Sequence, residues 1–132
     1  MTNVLSFEVS GVKGGAVITP RIDGVLLTTL AEQFELSHGM TDPAGGYGGL
    51  FYDGGPLDRH FPADTGERVY VLACDCGELG CWPLICMIDA EGSQITWHSF
   101  VQPHRPRRDY SSFGPFVFDS KQYEEALRSA QE

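Results

Sequence analysis

Apolar and polar positions along the chain predict a mostly antiparallel fold with two helices. Residues 3–9 alternate loosely and read as a first strand, and Gly14-Gly15 break it. Ala16-Val17-Ile18-Thr19 restart the pattern, and Pro20 marks an edge position or the strand's end. Leu27, Leu30, Ala31 and Phe34 then recur at offsets of 3, 4 and 7, which is one face of a helix. Asp23 or Thr28 is placed to cap that helix, and Ser37-His38-Gly39 to end it. Strands follow at 68–74, 83–89 and 94–101, with Glu91-Gly92 as a two-residue hairpin turn between the last two. Phe116-Val117-Phe118 makes a further strand. Asp119, with Gln122 three residues on, forms a capping-box pattern for a final helix lined by Tyr123, Ala126, Leu127 and Ala130. These elements give an α+β fold: a mostly antiparallel sheet of five or six strands with two helices packed on one face. No internal repeat interrupts a single domain over residues 1–132.

Residues 39–66 break the periodicity. Eight glycines and three prolines fall here, interleaved with Tyr47, Phe51, Tyr52 and Phe61. This is one long loop, with a short strand at Leu50-Phe51-Tyr52. Long loops inside small domains often carry function. The bland alternative is a surface insertion pinned by its aromatics. The Gly-Gly-Tyr-Gly-Gly run lacks the spacing and the lysine of a phosphate loop.

Register sorts the central strands into faces. If Cys76 lies opposite Cys81, then Ile85 faces Leu72 and Cys86 faces Val71. With the turn at Glu91-Gly92, Ile88 pairs with Ile95 and Ile85 with His98. Trp97 then shares a core face with Ile95, Val101, Leu84, Cys86 and Ile88. The other face carries Tyr70, Leu72, Ile85, Met87 and Phe100. A strand buried on one side should alternate cleanly, so this second apolar face needs a cover. The aromatic loop is the expected cover, and a two-fold related subunit is the alternative, leaving monomer or homodimer open.

Composition narrows the partners. The chain has 132 residues, 42% hydrophobic and 20% charged, enough for one real core. Nine Lys+Arg against 18 Asp+Glu give a net charge of -9. That balance disfavours nucleic acid and anionic lipid, and suits a basic protein partner or simple solubility. The N-terminus lacks a basic segment followed by an apolar run, and no stretch has the ~20 apolar residues of a membrane span. A cytoplasmic setting is expected, where cysteines stay reduced, ligated or buried.

One motif stands out: Cys74-Asp75-Cys76-Gly77-Glu78-Leu79-Gly80-Cys81. Zinc knuckles use tight Gly-rich turns of this kind, so Cys74, Cys76 and Cys81 form a candidate metal site. The fourth ligand is missing locally. His98 would lie ~11 Å away from sheet spacings, which leaves His104 as the remaining histidine. A thiol redox pair of Cys76 and Cys81 is a weaker alternative. Asp75 and Glu78 would raise the thiol pKa, and the C-x-x-C spacing is absent. The plain reading is small packed residues in a turn, with no cofactor.

The turn Cys76-Gly77-Glu78-Leu79-Gly80-Cys81, the strand Ile95-Thr96-Trp97-His98-Ser99-Phe100, then Phe116-Val117-Phe118-Asp119 and Tyr123, resemble a pattern in small uncharacterised bacterial proteins. The resemblance covers about half the chain, Val69 to Leu127. It implies a bacterial cytoplasmic origin and no mechanism. Some of those proteins carry an oxidoreductase label, for which this chain shows no cofactor fingerprint.

The last candidate is Pro103-His104-Arg105-Pro106-Arg107-Arg108, which gathers three of seven arginines in an acidic chain. Beside Tyr110, the residues His104, Arg105, Arg107 and Arg108 could hold a carboxylate or phosphate. Tyr47 and Tyr52 of the loop are further candidate binding residues. The bland reading is a solvated loop paired with abundant acids. His60, Asp58 and Asp64 have acid–base chemistry but no nucleophile beside them. The leading functional expectation is a small acidic, non-enzymatic binding or protein-interaction module of the immunity type. The alternatives are a zinc-stabilised domain and a thiol redox protein.

Overall fold

In a computed structural model, which describes residues 2–40, 46–64, 66–75, 82–105 and 107–131, the chain is α+β with two antiparallel sheets. The strands are β1 (Leu5–Val12), β2 (Gly15–Ile22), β3 (Val25–Leu26), β4 (Tyr47–Gly48), β5 (Leu50–Tyr52), β6 (Arg68–Cys74), β7 (Leu84–Glu91), β8 (Gln94–Val101) and β9 (Phe116–Asp119). The helices are α1 (Leu27–Ser37) and α2 (Ser120–Gln131), with one 3₁₀ turn at Leu57–Arg59. The antiparallel α+β class agrees with the sequence. The strands divide differently from one sheet of five or six. Five form a sheet in the order β4-β6-β7-β8-β9, while β1, β2, β3 and β5 form a second. Asn3 joins the two, bridging to Phe118 and bonding Val117 with its backbone N–H at 2.6 Å and its side-chain oxygen at 2.9 Å.

Pro20 does not end its strand. β2 runs through it, pairing Pro20 with Phe7 of β1. On its other side β2 meets β5 at 16–18 and β3 at 21–22, so Pro20 falls in a gap where a missing N–H costs no ladder bond. Gly49 lies where β5 approaches β2; a Cβ there would come within 2.5 Å of the Ile18 carbonyl.

The capping expectations divide. Asp119 caps α2, accepting from the Gln122 N–H at 3.1 Å. Gln122 does not close a capping box; its amide grips the Leu5 backbone from both sides, at 2.9 and 2.6 Å, and ties α2 to β1. Neither Asp23 nor Thr28 caps α1, whose N-cap is Leu26 without a side-chain bond. Asp23 instead turns with φ 55° and accepts from the Val4 N–H at 2.8 Å.

Two irregularities change the expected registers. The β7–β8 turn sits at Gly92-Ser93, one residue later than expected, so Ile88 pairs with Trp97 and Met87 with His98. On β6, Cys86 faces Val69 and Ile85 faces Tyr70, then the register shifts before Leu72↔Leu84. A second shift between Ile85 and Met87 sets Ser99 and Phe100 against one residue, with Ser99 at φ 56°. A one-residue bulge reverses which face follows it. Leu72 and Phe100, expected on the second face, are therefore buried in the core, and Val101 leaves it to become half-buried.

The core joins both sheets. Trp97, Ile95, Leu84, Cys86 and Ile88 are buried as expected, with Leu5, Ile18 and Ile22 from the other sheet. The long loop supplies Leu57 and Phe61, both fully buried. Phe61 lies between Phe7 (5.0 Å) and Trp97 (5.9 Å). The loop thus covers the Trp97 face, not the second face it was expected to cover. Fully burying such a side chain contributes roughly 2–3 kcal/mol and offsets part of the entropy lost in ordering a Gly-rich segment.

Candidate binding site

The 102–110 segment explains how a polar loop acquires buried charges. The Arg105 N–H donates to the Gln102 carbonyl at 3.1 Å, and the Arg108 N–H to the Arg105 carbonyl at 3.0 Å. Turns with this i→i+3 pattern set side chains three apart over one another. Gln102 and Arg105 are accordingly buried and the Arg108 side chain is only 6% exposed, while His104 and Arg107 face solvent. Arg105, at 7% exposure, lies 4.0 Å beneath the Trp82 ring. The Trp82 indole N–H is tied to the Gly46 carbonyl at 3.3 Å.

α1 supplies the acid. Leu27, Ala31 and Glu35 are its buried residues, spaced by four, so a carboxylate ends an apolar stripe. Glu35 pairs with Arg108 at 2.9 Å and accepts a hydrogen bond from the Tyr110 hydroxyl. Tyr110 in turn shares a 2.5 Å hydrogen bond with the Tyr47 hydroxyl. β4 fixes Tyr47 by pairing it with Cys74. Arg108 also donates to the Met40 carbonyl at 3.3 Å, closing the end of α1 onto the loop.

Burial pushes the Tyr47 hydroxyl up to about 12, against the pull of its Tyr110 hydrogen bond, with the Glu35 charge adding to the rise and Gln102 and Arg105 opposing it. Burial likewise raises Tyr110, helped by Tyr47 and Glu35. Both phenols keep their protons at neutral pH and act as hydrogen-bonding groups, not as bases. One carboxylate thus serves the cluster through Arg108. The Arg105 Nε and Nη2 atoms and the Gln102 Nε2 atom are buried with no acceptor among the described residues. Leaving a buried donor unmade costs about 1–3 kcal/mol, more for a charged group. Glu35 and Tyr47 also border a hollow of 390 Å³ with Thr28, Glu32 and Gly46.

The structure therefore brings Tyr47, Arg105, Arg108 and Tyr110 together and leaves three sequence candidates out. Tyr52 bonds the Gly55 carbonyl at 2.5 Å and packs edge-on against His60. His104 is exposed, its backbone N–H held by the Gln102 oxygen at 3.0 Å. Arg107 borders a separate hollow with His38, Met40 and Asp109. Sequence reasoning missed Glu35, Gln102 and Trp82. The i+4 spacing from Leu27 through Ala31 was the available signal for Glu35.

Elsewhere, Cys76 and Cys81, with the glycines between them, lie outside the described residues. Cys74 is buried and its thiol donates to Asp75 at 3.4 Å. Cys86 is buried, and burial pushes its thiol up despite Arg68. Among the described residues no three His, Cys, Asp or Glu side chains converge to hold a metal ion. The bulge turns Ser99 beside His98, which bonds both Ser99 (2.8 Å) and Asp89 (2.5 Å). The Asp89 and His98 side chains are 48% and 34% exposed, so this is a surface pair of small energetic weight. No helix among the described residues is long and apolar enough to cross a membrane. Comparison of the chain with family profiles, curated proteins and solved structures returns no significant match.

Proposed function

We propose that the chain is a small, acidic, non-enzymatic binding module of the bacterial cytoplasm that engages its partner through the cluster beneath Trp82. One observation carries this reading. Arg105 is a buried cation without an acidic partner among the described residues. The Trp82 face offsets part of the cost of burying it, but a buried charge with no carboxylate beside it is destabilising. Tyr47, Tyr110, Glu35 and Arg108 hold the surroundings in place by direct hydrogen bonds and an ion pair. The net charge of -9 favours a partner that is basic on the surface surrounding the acceptor it offers to Arg105.

Cross-linking in cells followed by mass spectrometry tests this, with wild type and Arg105→Gln compared at equal expression. A discrete partner recovered with wild type and lost with the variant supports the reading. Equal recovery by both proteins contradicts it.

A further inference from the structure

The chemistry of the unfilled donors names the group that fills them. In a guanidinium, Nε–H and one Nη2–H lie parallel on one edge, and a carboxylate accepts both at once. These are the two Arg105 atoms that have no acceptor among the described residues. Trp82 stacks over the guanidinium face at 4.0 Å, and stacking occupies the face while leaving the in-plane donors unmade. The Gln102 Nε2 atom, three residues back on the same inner side, adds a third buried donor.

We infer that the cluster binds a carboxylate-bearing ligand, held side-on by Arg105 Nε and Nη2 with Gln102 as an additional donor. The inference rests on the reading of this cluster as the binding site. A planar monoanion suits the site better than a phosphate dianion. Among the described residues of the cluster Arg105 is the cation left to neutralise, the Glu35 carboxylate stands in the same cluster, and the whole chain is acidic. Both Arg105 donors are shut off from water, so the ligand enters when the half-buried Trp82 lifts from Arg105. Binding then alters Trp82 emission as well as the arginine.

The test is an NMR titration of the full isotope-labelled chain, following the Arg105 Nε–Hε resonance. Sodium acetate is the probe, with sodium chloride and inorganic phosphate at matched ionic strength. Acetate should move the resonance downfield and saturate, while chloride leaves it in place. Arg105→Lys keeps the charge but loses the fork, and should weaken acetate binding at least tenfold, read from backbone amides of Gln102 and Tyr47. The wild-type titration stands even if that variant folds poorly. A resonance indifferent to acetate, or one that phosphate alone saturates, overturns the inference. Acetate binding with equal partner recovery by wild type and Arg105→Gln would sink the module reading and keep the carboxylate site. Partner recovery that depends on Arg105, with no response to acetate, would do the reverse.

Discussion

The molecule has two interiors, and they treat polar atoms differently. Around Trp97 the polar handles of the aromatics form a closed chain. The indole N–H donates to the Tyr123 hydroxyl at 3.1 Å, which donates to the Phe61 carbonyl at 3.0 Å. Phe118 packs on both rings, 5.3 Å from Trp97 and 5.7 Å from Tyr123. Around Arg105 the count fails: one ion pair, two phenols and a carboxamide leave buried donors over, Arg105 Nε and Nη2 and Gln102 Nε2 among them, with no acceptor among the described residues. The first interior is what a chain does to be stable. The second carries a cost that stability alone does not explain, and the proposed binding role rests on that cost.

Substitutions separate the two. Trp97→Ala should have the largest effect, a loss of ~3–5 kcal/mol, because it opens a cavity and removes the donor to the Tyr123 hydroxyl. Chemical denaturation measures it, and near-native stability would mean Trp97 does not anchor the core. Glu35→Gln should cost about 1–3 kcal/mol, because it removes the charge that pairs with Arg108 and accepts from the Tyr110 hydroxyl. The same denaturation series checks it; a loss under 1 kcal/mol would show that water screens the pair.

A smaller effect comes from pH. The Tyr47 hydroxyl rises from 10.0 to about 12 on folding. A raised group favours the fold fully below its unfolded value, and the gain is lost as pH climbs toward the folded one. Stability should therefore fall between pH ~10 and ~12, with Tyr47 contributing about 2 kcal/mol. Tyr110 and Tyr123 shift the same way, both chiefly through burial. Tyr47→Phe should flatten the alkaline slope in proportion. An unchanged slope would remove Tyr47 from the buried cluster.

How much of this was readable in the sequence follows from what carries a period. The strands β6 to β8, the cap at Asp119 and the apolar stripe of α1 were legible, because each depends on neighbours within one element. Tertiary events were not. Ser99 takes a left-handed backbone angle that no residue type announces, and with the shift at Val71 it moves Phe100 and Leu72 into the core. Phe61 is a single aromatic in a Gly-rich segment, without a repeat to point it at Trp97. The site was half legible. A run of arginines in an acidic chain drew notice to Arg105 and Arg108, and loop aromatics to Tyr47. Which arginines turn inward depends on the three-residue turns that start at Gln102. Glu35 hid as one acid among 18.

The claim that the second interior exists for binding is tested most directly by the stability of Arg105→Met. Methionine keeps the length and apolar body of the side chain and removes the unfilled donors. The cation–π contact with Trp82 is lost, worth about 0.5–2 kcal/mol, and the penalty of the buried cation is relieved. Urea denaturation should find the variant within about 1 kcal/mol of wild type, or more stable, while partner binding disappears. A loss above 3 kcal/mol would show that Arg105 holds the fold together, and would contradict the account.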